Sequence, residues 1–311
     1  MTTVIKRIDE EYEDQVKELN TLVKTYDGLV RLMTSTKNRL QSMGLTSDQA
    51  NKDALFRGDQ IYDQGDAIAI KGLNAVKSTL ITRIRHGISE IPIWKDWMVE
   101  IPGIGETTAA KLILLYYYKF VSVCPKCKGP IEKKAVETDT GKKINTLYCP
   151  QCEKVLKGQG NLNYQIFYKD FPTISSWWAY MGRHIVDGRM PNRKKNVQSN
   201  WSTKGRTVTF TIGDQFNRQR DPAHPYKAFM KAAKAKHWRK NTDREVEWTK
   251  NHIHKAGRNE VGKLFLSHFW QVAHEMAGEE VTEPYVGKHL GHDIIPPYYW
   301  TPSVDREAKA A

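Results

Sequence analysis

The sequence lacks a long apolar run, since no stretch approaches the roughly 18 residues that a membrane-spanning helix requires. Its opening segment, Met1–Ile8, is too polar for a secretory signal. Cysteine is scarce, with four in 311 residues and all of them in one stretch. Disorder is excluded, because 40% apolar and 10% aromatic residues can bury a sizeable core. We therefore expect a soluble intracellular protein, cytoplasmic or nucleoid-associated, without a membrane partner.

Acidic residues are fewer than basic ones. The chain has 35 Asp and Glu against 48 Lys and Arg, which gives a formal net charge of +13. The excess is local. Residues 183–263 carry 20 basic and 7 acidic side chains, whereas residues 1–100 carry 14 and 15. Aromatic side chains such as Trp201, Phe210 and Trp238 are interleaved with these cations. A solvated charged surface is one interpretation, but the mixture favours a face that binds nucleic-acid phosphates.

The first segment of the chain, residues 5–43, follows a heptad pattern in which most a and d positions are apolar. This pattern predicts a long helix that Gly44 ends, followed by a second helix that runs toward Arg85. We therefore expect residues 1–90 to form an antiparallel helical hairpin or a coiled coil. Such helices would join copies of the chain into a homodimer or higher oligomer.

Residues 91–120 contain the string Ile101-Pro-Gly-Ile-Gly105 between two apolar-periodic segments, a signature of the helix-hairpin-helix. Gly103 and Gly105 allow a tight turn that leaves backbone N–H groups bare at the start of the next helix. Such groups can hold a DNA phosphate without reading the base sequence. Lys111 follows on that helix, while an ordinary turn between two helices is the alternative.

The four cysteines form two C-x-x-C pairs, Cys124 with Cys127 and Cys149 with Cys152, and 21 residues separate the pairs. This spacing is typical of a zinc ribbon, in which four thiolates hold Zn²⁺ tetrahedrally. Two disulfides are the alternative, which an intracellular location disfavours. Four sulfur ligands leave the metal no open position, so we expect a structural zinc within residues 121–160. The alternating sequence between the pairs suits a β-hairpin.

The order of the motifs resembles the C-terminal half of the DEDD-type, bridge-RNA-guided insertion-sequence transposases and their phage-encoded relatives. The matching segments contain, in order, the hairpin string and five later phrases: residues 101–110, 171–182, 201–216, 224–229, 255–266 and 284–292. The resemblance covers roughly residues 75–295, interrupted by the cysteine stretch. It implies a basic, transposase-like α domain at residues 161–280. Residues 281–311, rich in Pro and Tyr, read as an extended tail that packs on the body or on a partner.

The chain also departs from that family. Family members carry a RuvC-like domain whose four acids bind Mg²⁺, and residues 1–90 offer no strands with spaced acids. The family's serine nucleophile has no counterpart in residues 183–195. The nearest hydroxyls suitable as catalytic candidates are Ser199 and Ser202, although a capping or loop role suits both better. Strand transfer by this chain alone is therefore not expected, because a serine nucleophile needs a base or metal to activate it.

These patterns together predict a mainly α fold with a small β zinc ribbon. The expected function is binding to the phosphate backbone of duplex or branched DNA by a catalytically reduced, transposase-related protein. One alternative is an active serine-dependent recombinase with a partner that supplies carboxylates, and another is a structured-RNA-binding or assembly protein. The expected DNA-contacting residues are the glycines of the hairpin turn and cations of the C-terminal half: Gly103, Gly105, Lys111, Arg183, Arg189, Arg193, Lys194, Lys195, Lys204, Arg206, Arg258 and Lys263.

Overall fold

Helices make up most of the chain that the computed structural model describes, which confirms the predicted mainly α fold. The described residues are 4–42, 66–137, 143–156, 163–186, 188, 190–193, 197, 199–244, 246–281 and 295–300. The chain divides into two compact units, of which unit 1 comprises residues 1–16 and 113–171 and unit 2 comprises residues 17–112 and 172–311. In the part described, no helix is long and apolar enough to cross a membrane.

The helices and strands are numbered in chain order. The α-helices are α1 Glu10–Ser42, α2 Asp66–Ile88, α3 Pro92–Lys95, α4 Glu106–Tyr117, α5 Ile174–Tyr180, α6 Thr203–Arg218, α7 Pro225–Arg239 and α8 Lys250–Met276. A short 3-10 helix spans Met98–Glu100. The strands are β1 Val4–Arg7, β2 Tyr118–Val123, β3 Glu132–Glu137, β4 Lys143–Cys149, β5 Lys154–Leu156 and β6 Asn163–Lys169.

Unit 1 contains both described β-sheets. In the first sheet β6 lies between β1 and β2 and pairs antiparallel with both, so that Lys169 is opposite Val4 and Phe167 is opposite Lys119. The second sheet has the order β3-β4-β5, again with antiparallel pairs. The β3–β4 pair occupies the segment where the sequence predicts a hairpin. Along the chain, the second sheet is therefore inserted between two strands of the first.

Strand β1 corrects one prediction. The heptad pattern starts the first helix at Ile5, but Val4–Arg7 forms a strand and α1 begins only after it. The Ile8 N–H continues the pairing by donating to the Ile166 carbonyl at 3.0 Å. Periodicity within a short window is misleading here, because the hydrogen-bond partners of β1 come from a strand that is distant in the sequence.

Helices α1 and α2 correspond to the two helices predicted within residues 1–90. Arg83 of α2 pairs with Glu18 of α1, with 2.5 Å between Nη2 and Oε1. Leu19 lies 3.2 Å from the place that a Cβ on Gly87 would occupy. The connection between the two helices lies outside the described residues. Association of two copies of the chain through these helices stays a prediction.

The core of unit 2 is built around α8, on which α5, α6 and α7 all pack. Trp97 stacks on Phe265 of α8 with ring centroids 5.6 Å apart. Trp177 of α5 and Trp270 of α8 are fully buried, so their rings belong to the core and are closed to nucleic-acid bases. Aromatic burial of this kind dominates the packing energy of a core.

Glycines let α6 and α7 approach α8 closely. A Cβ on Gly213 of α6 would lie 2.8 Å from the Arg258 carbonyl oxygen of α8. A Cβ on Gly257 of α8 would lie 3.3 Å from the Met230 carbonyl oxygen of α7. The first distance is too short for real atoms, so the spacing of α6 and α8 depends on the absence of a side chain at Gly213.

We expect Gly213→Ala to lower the free energy of unfolding of unit 2 by about 2 kcal/mol, because the helices must move apart. Gly28→Ala is the matched control. Gly28 is also inside a helix, but a Cβ there would meet nothing within 4 Å, so alanine should stabilise α1 by up to about 1 kcal/mol. Urea unfolding followed by tryptophan fluorescence measures both. A destabilisation shared by the two variants would contradict the close approach at Gly213.

A short segment of the tail, residues 295–300, packs on unit 2. The Trp97 indole N–H donates to the Tyr298 carbonyl at 2.8 Å, and Trp300 donates to Glu275 at 2.5 Å. The rest of the tail beyond residue 281 lies outside the described residues.

His268 of α8 lies beneath this tail segment and is 1% exposed. Its Nε2 is 2.9 Å from the Ile295 carbonyl oxygen, which can only accept, so Nε2 carries the proton. Its Nδ1 then accepts from the Tyr226 hydroxyl at 2.8 Å. Burial lowers the pKa of His268 to about 4, so the ring is neutral at pH 7.

Candidate metal centre and cation cluster

The four cysteines lie at the ends of strands and turns in unit 1. Cys124 follows β2, and Cys149 ends β4. The residue after each pair, Lys128 or Glu153, has a positive φ of 60° or 52°. Left-handed backbone is uncommon for residues with a side chain, and its recurrence shows that the two C-x-x-C pairs form the same kind of turn.

These turns bring all four sulfurs together. Every pair of Sγ atoms lies within 4.8 Å, with 3.4 Å between Cys127 and Cys149 and 3.9 Å between Cys124 and Cys152. Metal–sulfur bonds of about 2.3 Å in a tetrahedron place sulfurs roughly 3.8 Å apart, whereas a disulfide needs about 2.05 Å. All four cysteines are free. Among the described residues this is the cluster of side chains whose geometry suits a metal ion.

The thiols differ in acidity. Backbone N–H groups of Cys127 and Lys126 donate to the Cys124 sulfur and lower its pKa to about 6. The hydrogen bond between the Cys152 and Cys127 thiols, together with burial, raises the pKa of Cys152 to about 12. Burial also raises the pKa of Cys149. A metal bound here displaces thiol protons, so its affinity should rise with pH.

The predicted helix-hairpin-helix turn lies in unit 2, where α4 begins at Glu106 directly after it. Gly103 has φ +99°, and a Cβ there would lie 2.5 Å from the Gln219 side chain, so this part of the turn faces other residues of unit 2. Gly105 is exposed. The Lys111 Nζ lies 2.5 Å from Asp27 Oδ1 of α1, so its charge is already paired.

Four of the predicted DNA-contacting cations come together in unit 2, and we call Arg183, Arg206, Arg258 and Lys263 the cation cluster. Arg183 follows α5, Arg206 is on α6, and the other two are on α8. Besides burial, the positive charges of Arg206 and Arg258 contribute to lowering the pKa of Arg183, and the charge of Arg183 contributes to lowering the pKa of Lys263. The sequence places these residues in one basic segment, and the fold brings Arg183 within electrostatic range of the other three.

Arg183 is the buried member of the cluster, at 2% exposed. Its Nη1 donates to Asn259 Oδ1 at 2.5 Å and its Nη2 to the Arg206 carbonyl at 2.9 Å. No carboxylate among the described residues contacts it, and its Nε has no hydrogen-bond partner there. Burial, followed by the charges of Arg206 and Arg258, lowers the pKa of Arg183 to about 10.

Aromatic rings support the other three cations of the cluster. The Arg258 guanidinium carbon lies 3.7 Å from the Phe210 ring centroid. Lys263 Nζ lies 4.0 Å from the Trp178 ring, and the Arg206 guanidinium carbon lies 4.9 Å from Trp201. Cation–π contacts hold the charged groups in place without neutralising them.

The two serines considered as nucleophiles have local partners. Ser202 Oγ accepts the Gly205 N–H at 3.0 Å and caps α6, and its hydroxyl also bonds Tyr180. Ser199 Oγ donates to the Trp201 carbonyl at 3.3 Å. These contacts belong to capping and loop structure, and none of the hydrogen bonds described for the two serines joins a carboxylate or a histidine.

The remaining predicted contact residues divide into two groups. Arg193 and Lys204 are exposed, whereas Arg189, Lys194 and Lys195 lie outside the described residues. Sequence reasoning missed Asn259, which holds the buried Arg183 in position. Its place directly after Arg258 in a basic segment is the signal that could have pointed to it.

No family model, curated protein or solved structure matches this chain.

Proposed function

We propose that this protein binds the phosphate backbone of duplex or branched DNA, on a scaffold related to insertion-sequence transposases and without strand chemistry of its own. Helix α7 is the observation that supports DNA binding. It contains five Lys and Arg and no Asp or Glu. Lys231, Lys236 and Arg239 on this helix are exposed.

The charges of α7 repel one another. Lys236 lies three residues before Arg239 and four before Lys240, spacings that place side chains side by side on a helix. Each such like-charge pair costs about 0.2–0.5 kcal/mol. A polyanion relieves this repulsion, and counterions released from DNA add to the binding free energy. Trp238, 46% exposed among these cations, offers an aromatic face to an unpaired base.

We also infer that the four-cysteine centre holds zinc. Soft thiolate donors in a tetrahedral arrangement select zinc over hard cations such as Mg²⁺. With four protein ligands the ion has no open position for a substrate, so it contributes to folding and not to chemistry. An ion at this centre connects the end of β2, next to Cys124, with the turn between β4 and β5.

A salt titration tests the DNA-binding proposal. We expect log affinity for a short labelled duplex to fall linearly with log salt, with a slope of about 0.9 per phosphate contact. Neutralising Lys231, Lys236 and Arg239 to Gln should reduce the slope by about 3 and weaken binding to all DNA sequences alike. Fluorescence anisotropy measures both quantities, with a four-way junction and a structured RNA compared at one salt concentration.

The control variant neutralises three exposed cations that already pair with acids, Lys6, Arg83 and Lys95. It removes the same formal charge and should leave the slope almost unchanged. Equal losses in the two triple variants, or binding that ignores salt, would contradict the assignment to α7. Tighter binding of the RNA than of either DNA would favour a role in RNA binding.

A further inference from the structure

The cation cluster holds more positive charge than the described residues around it neutralise. Two carboxylates offset part of the positive charge of the four cations. Asp214 interacts electrostatically with Arg258, and Glu260 does so with Lys263. Each is already engaged elsewhere, since Asp214 pairs with Arg218 at 2.8 Å and Glu260 pairs with His237. The surplus is therefore at least two positive charges.

Burial makes this surplus costly. A charged group removed from water is unfavourable unless a partner of opposite charge replaces the water. Arg183 is 2% exposed, and its contacts are an amide and a backbone carbonyl, which are neutral. The Nε atoms of both Arg183 and Arg258 are buried without a hydrogen-bond partner among the described residues. A bound anion supplies both the missing charge and the missing acceptors.

We propose that the cation cluster is the site of a terminal phosphate on a DNA strand, an inference that rests on the proposed DNA binding. A terminal phosphomonoester carries about −1.5 to −2 at pH 7, which matches the surplus, and it has three acceptor oxygens. An internal phosphodiester carries a single charge, and the exposed row of cations on α7 suits it better.

The cluster is built to hold one compact group. Its cations come from three different parts of unit 2, the segment after α5, helix α6 and helix α8, and Arg183 lies within electrostatic range of the other three. Three of the cations are also held by aromatic rings: Phe210 orients Arg258, Trp178 orients Lys263 and Trp201 orients Arg206. Such preorganisation reduces the ordering cost of binding and favours a phosphate over a diffuse ion atmosphere.

The test compares one short labelled duplex with 5′-phosphate, 3′-phosphate or hydroxyl ends, using the full chain and fluorescence anisotropy. We expect a phosphorylated end to bind about tenfold more tightly than the hydroxyl end. Arg258→Gln should reduce that ratio to about one, and Arg258→Lys should keep part of it. Lys236→Gln on α7 should weaken all three duplexes equally and keep the ratio near its starting value.

The outcomes separate the two proposals. A ratio of one in the unmodified chain, with all duplexes bound, overturns the terminal-phosphate site and leaves backbone binding standing. Failure to bind any duplex overturns both. Thermal melting in inorganic phosphate provides a second arm, in which the unmodified chain should be stabilised and Arg258→Gln should not. Stabilisation by inorganic phosphate with a duplex ratio of one would show a site for free phosphate, and would also overturn the proposal.

Discussion

Replacing Cys149 with Ser is expected to abolish zinc binding and to unfold the β3-β4-β5 sheet of unit 1. Cys149 is fully buried, pairs with Lys154 across β4 and β5, and lies 3.4 Å from the Cys127 sulfur. Structural zinc supplies about 10–16 kcal/mol of apparent binding free energy at pH 7 in zinc-finger peptides. A three-stranded sheet of this size has no comparable source of stability, so loss of the metal should be close to loss of the sheet.

Elemental analysis should show about one zinc per chain in the unmodified protein and none in Cys149→Ser. Far-ultraviolet circular dichroism should lose its small β contribution and keep the helical signal. Lys154→Gln is the matched control, because it changes the residue opposite Cys149 without removing a ligand, and it should retain the zinc. Unmodified protein that contains no zinc when purified under reducing conditions, or Cys149→Ser that keeps it, would contradict the assignment.

Lowering the pH from 7 to 4 is expected to destabilise unit 2 through His268. Its pKa is about 4 in the folded chain against an ordinary 6.5, so between these values only the unfolded chain binds the proton. The contribution of the neutral ring is therefore complete above pH 6.5 and is lost as pH falls toward 4. The shift corresponds to roughly 3 kcal/mol.

Urea unfolding at several pH values measures this loss, and tryptophan fluorescence reports on the relevant unit because all nine Trp belong to unit 2. His268→Gln stays neutral and should make the dependence shallower, while His224 and His254, whose pKa values burial also lowers, keep the rest of it. His252→Gln removes an exposed histidine and should leave the slope as it was. Equal slopes in the unmodified chain and His268→Gln would contradict a role for the buried ring.

Features that depend on local spacing were predictable from the sequence. The C-x-x-C pairs carry their geometry in the two residues between the cysteines, and the structure brings the four sulfurs together. The heptads similarly predicted α1, although not its start at Glu10, and the Gly-x-Gly string predicted the start of α4 at Glu106. Each of these signals depends on residues that are close to one another in the sequence.

Features that depend on distant partners were not predictable. The sheet formed by β1, β6 and β2 joins segments from both ends of unit 1, and no local pattern identifies such pairing. Charge counting found the basic segment but could not show which cations are buried. Arg183 and exposed Lys204 look equivalent in the sequence, although only Arg183 lies in the interior and raises the question of a counter-ion.

The position of β1 sets an order for folding during synthesis. β1 leaves the ribosome well before its partner β6, which begins only at Asn163. At about 5–20 residues per second, β1 waits roughly 8–30 s before that partner exists. During this interval its backbone N–H and C=O groups are open to pairing with other nascent chains. The four cysteines at positions 124 to 152 are translated in the same interval, so metal binding can precede formation of the first sheet.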